Sequence, residues 1–119
     1  MKDRKSSRLS GFYNRSLDER LQVVGEWAGL SATDLAVVRA GLGAEQADLM
    51  IENALGTFAL PLGVGVNFLV NGRDYLVPMA VEEPSVVAAV SNAARLARTS
   101  DGFTAGSTEP VMIGQVQLM

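Results

Sequence analysis

The dipeptide Asn71-Gly72 limits what this chain can fold into more than any other feature of it. It stands between two strand-like runs, "VNFLV" before it and "RDYLVPM" after it. A two-residue hairpin connection needs positive φ at both positions, and Asn-Gly is the pair that adopts this at least cost. The pattern predicts strands at about Val66 to Val70 and Arg73 to Met79, joined as an antiparallel hairpin.

Helices flank the hairpin on both sides. Ser16-Leu-Asp-Glu19 is a capping box, in which the serine oxygen takes one free amide and the glutamate reaches back to another. Leu17, Leu21, Val24 and Ala28 follow as a helical stripe with Trp27 beside it, and Gly29 provides a stop. Ser31-Ala-Thr-Asp34 opens a second, short helix, with Leu30 and Leu35 placed as a hydrophobic staple and Gly41 and Gly43 at its end. Ala47, Met50, Ile51, Ala54 and Leu55 share one helical face, which predicts a third helix running to Gly56. The apolar stretch "GTFALPLGVG" is broken by Pro61, Gly63 and Gly65 and reads as an extended segment with close backbone packing. After the hairpin, Pro84 suits the first turn of a helix whose face is Val86, Val87, Val90, Ala93, Ala94 and Ala97, ending at Gly102. A loop from Phe103 to Glu109 leads to "PVMIGQVQLM", where Met112, Gly114, Val116 and Leu118 alternate as in a strand. The fold class is α+β: N-terminal helices, then a β-hairpin and a long helix. A strand that stops at Met119 with apolar residues along an open edge is unusual in a folded domain. We therefore expect the chain to be the front portion of something larger.

Composition narrows the chemistry. Hydrophobic residues make up 48% of the 119 and charged residues 19%, the balance of a chain able to bury a core. The charge is unevenly spread. Residues 1–15 hold five cations against one acid, a net of +4, while the remainder holds five arginines against twelve acids, a net of −7. A basic arm on an acidic body suits a phosphate-bearing ligand, or else is a solvated terminus. Aromatics are not interleaved with the basic residues as on a nucleic-acid surface, so no nucleic-acid partner is expected. With no cysteine and no histidine, the chain itself offers no disulfide, no thiolate or Ser-His catalysis, and no Cys- or His-bound metal. It has no apolar run of membrane-spanning length and no signal-peptide pattern at its start, and it reads as cytoplasmic.

One place stands out for chemistry. Glu82 and Glu83 are adjacent at the junction between a strand and the helix that begins near Pro84. One acid there has a structural use, accepting free amides at the positive end of the helix. Strand alternation would point the two acids to different sides, one outward and one inward. A carboxyl held against apolar walls gains proton affinity, which suits a general acid. From the pattern alone, catalysis and structure both remain open for this pair. Ser85 offers a hydroxyl and an amide to an anion, or a helix-terminal hydrogen bond. Gly63-Val-Gly65 is not a dinucleotide fingerprint, because position 68 is Phe68 and no helix follows; these glycines read as packing devices.

Three stretches together resemble the bacterial, class II 3-hydroxy-3-methylglutaryl-coenzyme A reductases. They are "RLSGFYNRSLDERL" (Arg8 to Leu21), the long ungapped block from Met50 to Arg98, and "DGF" (Asp101 to Phe103). Within the block, Glu52-Asn53-Ala54-Leu55-Gly56 looks like the family's Glu-Asn-Val-Ile-Gly dimer motif, with two apolar departures. The Glu-Pro-Ser alignment implies that Glu83 is the family's catalytic glutamate, that Glu82 is its structural neighbour, and that Ser85 contacts the substrate's free carboxylate. The resemblance implies a reaction between hydroxymethylglutaryl-coenzyme A and mevalonate plus coenzyme A, with two hydride transfers from NADH or NADPH, by a homodimer or higher homo-oligomer. It implies no metal.

The family also uses a lysine, an aspartate and a histidine. This chain has no histidine, and its lysines are Lys2 and Lys5. The resemblance therefore divides the chain into a basic arm (1–15), the N-terminal part of the large substrate-binding and dimerisation domain (16–109), and the first strand of a cofactor-binding domain (110–119). The chain alone is then expected to be inactive. The alternative is a non-catalytic dimerising or ligand-binding module derived from the same family. The chain by itself should self-associate or take up dyes that report exposed apolar surface, through its Met50 to Leu55 face and its last apolar segment. A monomeric, sharply folding protein in sedimentation and dye-binding assays would contradict this.

Overall fold

The structure, a computed structural model, describes residues 5–118. Its elements are α1 (Leu17–Ala28), α2 (Ala32–Ala40), α3 (Ala44–Met50), β1 (Leu62–Val70), β2 (Arg73–Ala80) and α4 (Val86–Ala97), with short 3-10 turns at Phe12–Asn14 and Arg98–Ser100. The fold is α+β, with four α-helices and one antiparallel two-stranded sheet among the described residues. None of these helices is long and apolar enough to cross a membrane.

Both capping boxes form. The Ser16 amide donates to Glu19 Oε2 at 2.7 Å and the Glu19 amide donates to Ser16 Oγ at 3.3 Å. Ser31 and Asp34 repeat the exchange at 2.8 and 3.2 Å. The serine hydroxyl, and after it the serine amide, hold each carboxyl below its usual range. Gly29 closes α1 in the left-handed conformation (φ 73°). α2 comes close to α1 at Gly25, where a Cβ would stand only 2.9 Å from Leu35 Cδ2. Arg39 of α2 also pairs with Asp18 of α1.

The hairpin turns at Asn71 (φ 48°) and Gly72 (φ 71°), both left-handed as a type I′ turn requires. The core lies between β1 and α4. Ala94 is 1% exposed there, and Val87 seats over Gly63, where a Cβ would come within 3.1 Å of its Cγ2. Between the pairs Gly65↔Val77 and Phe68↔Tyr75, β1 carries one residue more than β2, a β-bulge with Asn67 at φ 69°. Beyond α4 the chain returns to the hairpin tip. Val70 bridges Phe103 in parallel, the Phe68 and Phe103 rings stack at 5.8 Å, and Asn71 exchanges side-chain bonds with the Ala105 backbone at 2.8 and 3.0 Å. Gly102 makes this return possible, since a Cβ there would lie 2.3 Å from the Leu69 carbonyl oxygen.

The N-terminal segment is not a loose arm over its described part. Lys5 Nζ donates to the last carbonyls of α1, Glu26 at 2.9 Å and Trp27 at 2.7 Å, where a cation suits the helix dipole. Trp27 Nε1 donates to the Ser6 carbonyl at 3.1 Å. Ser7 is fully buried: its amide and hydroxyl donate to Asp74 Oδ1 at 2.8 and 2.7 Å. Arg98 pairs with the same carboxylate at 2.8 Å. Lys2 and Arg4 lie outside the described residues.

Several expectations are corrected. The third helix ends at Met50, not Gly56: Ile51 is extended (φ −139°), Asn53 is left-handed (φ 56°) and Gly56 has φ 148°. A seven-residue helix is held by packing more than by propensity, and Leu49, Met50, Ile51 and Leu55 are all exposed. β1 begins at Leu62 rather than Val66, because Gly63 and Gly65 lie within the strand and admit side chains above them. Pro84 is not in the first turn of α4; it precedes Ser85, which is the N-cap. Residues 110–118 form no strand and lie exposed, since no strand edge stands beside them to take their backbone groups. Met119 is outside the described residues.

Asp74 gives this fold a pH signature. Burial alone would raise its carboxyl, but the Arg98 guanidinium and the Ser7 amide and hydroxyl outweigh burial and lower it from 3.8 to about 2. A depressed carboxyl contributes stability that is fully present above its unfolded value and lost as pH falls through the folded one. Between pH 6 and pH 2, denaturant unfolding should therefore lose on the order of 1–2 kcal/mol more in the wild type than in Asp74→Asn. Equal losses in the two proteins would contradict this assignment.

Candidate active site

The open end of the hairpin collects the residues singled out for chemistry. Leu62 pairs with Ala80, and just beyond them the Val81 amide donates to the Pro61 carbonyl at 3.1 Å. From this end, residues 52–60 lead in and residues 82–85 lead out. Along the chain, Glu82 to Ser85 follows Val81 directly, and Glu52 to Gly56 ends five residues before Pro61.

Glu82 and Glu83 are both exposed, which corrects the inward-and-outward expectation. Alternation holds only inside a ladder, and β2 ends at Ala80, so both acids sit in a bend where it does not apply. Pro84 biases Glu83 away from helical backbone, which postpones the helix start. Ser85 then enters the left-handed region (φ 69°, ψ −11°), a costly conformation for a residue with a Cβ. Its side chain makes no cap hydrogen bond; only its carbonyl is used, accepting from the Ala89 amide at 2.8 Å. The first turn of α4 therefore has free amides, no acidic residue and an unengaged serine hydroxyl at its mouth. Such a corner can hold an anion at the amides and the hydroxyl while an adjacent carboxyl exchanges a proton.

In the other segment, Glu52, Asn53, Leu55 and Gly56 are exposed and Ala54 is half-buried. Leu55 and Phe58 project fully from it, an apolar edge with nothing over it among the described residues.

Gly63 and Gly65 do not form a dinucleotide-binding loop. They stand inside β1, crowded by Val87 and by Phe68 and Met79, rather than in a loop that opens a helix. Nor do three or more acidic side chains among the described residues gather to hold a metal ion.

Sequence reasoning missed the polar core behind this corner. Val66 N–H donates to Ser91 Oγ at 3.1 Å and Asn67 Nδ2 to the Ser91 carbonyl at 3.1 Å. The Asn67 amide donates to the Ser7 carbonyl at 3.0 Å, and Arg98 donates to the Asn67 carbonyl at 3.1 Å. An asparagine inside an apolar strand was the available signal, since such residues tolerate the left-handed backbone of a bulge.

Comparison with known proteins agrees with this architecture. The family model described as hydroxymethylglutaryl-coenzyme A reductase matches residues 16–119. The 3-hydroxy-3-methylglutaryl-coenzyme A reductase of Archaeoglobus fulgidus is 60% identical over 114 residues, covering 95% of this chain and 26% of that protein. A probable reductase of the same name from Borreliella burgdorferi is 44% identical over 52 residues, covering 44% of this chain and 12% of that protein. The class II reductase of Streptococcus pneumoniae, solved bound to NADPH in open conformations, superposes with a TM-score of 0.72 at 40% identity, covering 80% of this chain and 26% of that one. The chain is thus an α+β member of an oxidoreductase class. It belongs to the hydroxymethylglutaryl-coenzyme A reductase family and spans about a quarter of the length of the archaeal relative.

The left-handed serine gives a prediction that does not depend on activity. Ser85→Gly removes the Cβ from a backbone that disfavours it, and should raise stability by about 0.5–1 kcal/mol. A lower denaturation midpoint for the variant would show that the Ser85 side chain has a structural role at this corner.

Proposed function

We propose that this chain contributes the Glu83–Ser85 corner of a hydroxymethylglutaryl-coenzyme A reductase, which interconverts hydroxymethylglutaryl-coenzyme A and mevalonate plus coenzyme A. Nicotinamide-dependent hydride transfer is the chemistry that NADH or NADPH supplies; the dinucleotide would be held by residues outside this chain. The observation that carries the reading is the Glu83-Pro84-Ser85 corner: a free carboxyl, a free hydroxyl and free helix amides at one exposed turn.

Each residue has a separate task in this reading. Ser85 and the α4 amides bind the substrate's free carboxylate, an anion suited to the positive end of a helix. Glu83 exchanges a proton at the carbonyl oxygen that changes charge during reduction, together with a lysine from elsewhere in the enzyme. Glu82 stays in solvent as the structural member of the pair. Glu52, Asn53, Ala54, Leu55 and Gly56 form a dimer contact, with exposed Leu55 as its apolar anchor. Residues 110–119 would begin the cofactor-binding domain once that domain's sheet gives them a partner.

The test is a chimaera of the archaeal reductase in which the 114 matching residues are replaced by those of this chain. The chimaera should reduce hydroxymethylglutaryl-coenzyme A. Glu83→Gln keeps the shape and removes the titratable proton, and should lower kcat by ~10²-fold or more. An active chimaera whose Glu83→Gln variant turns over at the parent rate would remove Glu83 from the reaction.

A further inference from the structure

We infer that Ser91 and Asn67 are positioning residues for the Glu83–Ser85 corner, acting by fixing the register of α4 on β1; the inference rests on the reading of that corner given above. Glycine and alanine stand in the apolar part of the α4–β1 interface. Ala94 is its one fully buried side chain among the described residues, and Val87 lies over a glycine. Contacts of this kind are favourable but non-directional, so they specify where along the strand the helix sits less sharply than hydrogen bonds do.

Direction comes from the bulge. Val66 N–H and Asn67 Nδ2 both reach Ser91, at 3.1 Å each, and the Asn67 carbonyl receives Arg98 Nη1 at 3.1 Å. Ser91 and Arg98 are seven residues apart, roughly 10 Å along the helix axis. Two fixed points at that separation set both the rotation and the axial position of α4. The other end of the helix has no such tie. Ser85 makes no side-chain cap bond, Glu82 and Glu83 are exposed, and this end is held by the Val81–Pro61 hydrogen bond and the apolar contact of Val87 over Gly63. Ser85 lies six residues, about 9 Å, from Ser91, so its position is inherited from the pin. A one-residue slip would move the corner by ~1.5 Å and turn it by about 100°. A displacement of that size is enough to cost ~10²-fold in rate.

The experiment uses the full-length chimaera with Ser91→Ala, Ser91→Thr and Asn67→Gly, beside Glu83→Gln. Glycine at 67 keeps the left-handed backbone while deleting the side-chain bond. The readouts are kcat, the KM for hydroxymethylglutaryl-coenzyme A, the KM for the nicotinamide cofactor, and the folded fraction by circular dichroism. Ser91→Ala and Asn67→Gly should each lower kcat ~10-fold or more. The thioester KM should rise, the cofactor KM should stay unchanged, and Ser91→Thr, which retains a hydroxyl, should recover most of the loss. Loss of folded protein alone would lower kcat and leave both KM values where they were, and that result overturns the inference. Parent-like kinetics in both variants also overturn it. If Ser91→Ala fails to fold, Asn67→Gly decides by the same criteria. An inactive Glu83→Gln beside parent-like Ser91→Ala and Asn67→Gly defeats the positioning role alone; an active Glu83→Gln defeats the reading of the corner itself.

Discussion

A single extra residue in β1 organises this structure. Between Gly65 and Phe68 the ladder loses its pairing, and the backbone groups of Val66 and Asn67 must bond elsewhere or be left unpaired in a half-buried strand. Three of these groups find partners in different parts of the chain. Val66 N–H goes to Ser91 in α4, Asn67 N–H to the Ser7 carbonyl at the N-terminal end, and the Asn67 carbonyl to Arg98 beyond α4. Arg98 also pairs with Asp74, which accepts from Ser7, so the network closes on itself across both strands. The bulge thus converts a local irregularity into the junction where hairpin, helix and N-terminal segment meet.

What the junction does not do is bury much apolar surface. The structure exposes 10106 Å², against about 6,200 Å² for a compact chain of its mass. Its radius of gyration is 18.4 Å, where a compact domain of this length has about 13.5 Å. α1 and α2 stand apart from the outer face of the hairpin across a groove of about 440 Å³, lined by Leu17, Leu21, Val24 and Trp27 on one side and by Leu62, Leu76 and Pro78 on the other. Residues 5–7 span that gap, tied to α1 through Lys5 and Ser6 and to the hairpin through Ser7. Directional hydrogen bonds therefore fix a relative placement that apolar packing within the chain leaves open.

This division between local and non-local forces explains what could be read in the sequence. The capping boxes and the Asn-Gly turn were legible because each is decided within four residues. The length of the third helix and the last strand were not, because both depend on a partner surface. Periodicity placed Ile51 and Leu55 on a helical face, but among the described residues only Ala47 of that face is buried while Met50, Ile51 and Leu55 are exposed, so the helix stops where its own hydrogen bonds cease to suffice. Ser7, Asp74 and Arg98 are 67 and 91 residues from one another at the widest, and nothing local marks them as a cluster. At the candidate site, the Glu-Pro-Ser order was legible through family resemblance. The burial expected of one glutamate was not met, because strand alternation does not reach Glu82 and Glu83, two and three residues past the end of β2.

The two exposed acids and the open apolar surface belong to one physical problem. Proton exchange with a developing charge is most effective where water is excluded, since each hydrogen bond and charge is then felt more strongly. A corner open to solvent on both acids lacks that setting. The segment carrying Leu55 and Phe58 leaves from the same end of the hairpin as the Glu83 corner, joined to it by the Pro61–Val81 bond. A polypeptide that covers those side chains gains apolar burial, at roughly 25 cal/mol per Å². In the function proposed above, an assembly that also covered the corner would supply the low-dielectric setting in which a carboxyl exchanges its proton most effectively.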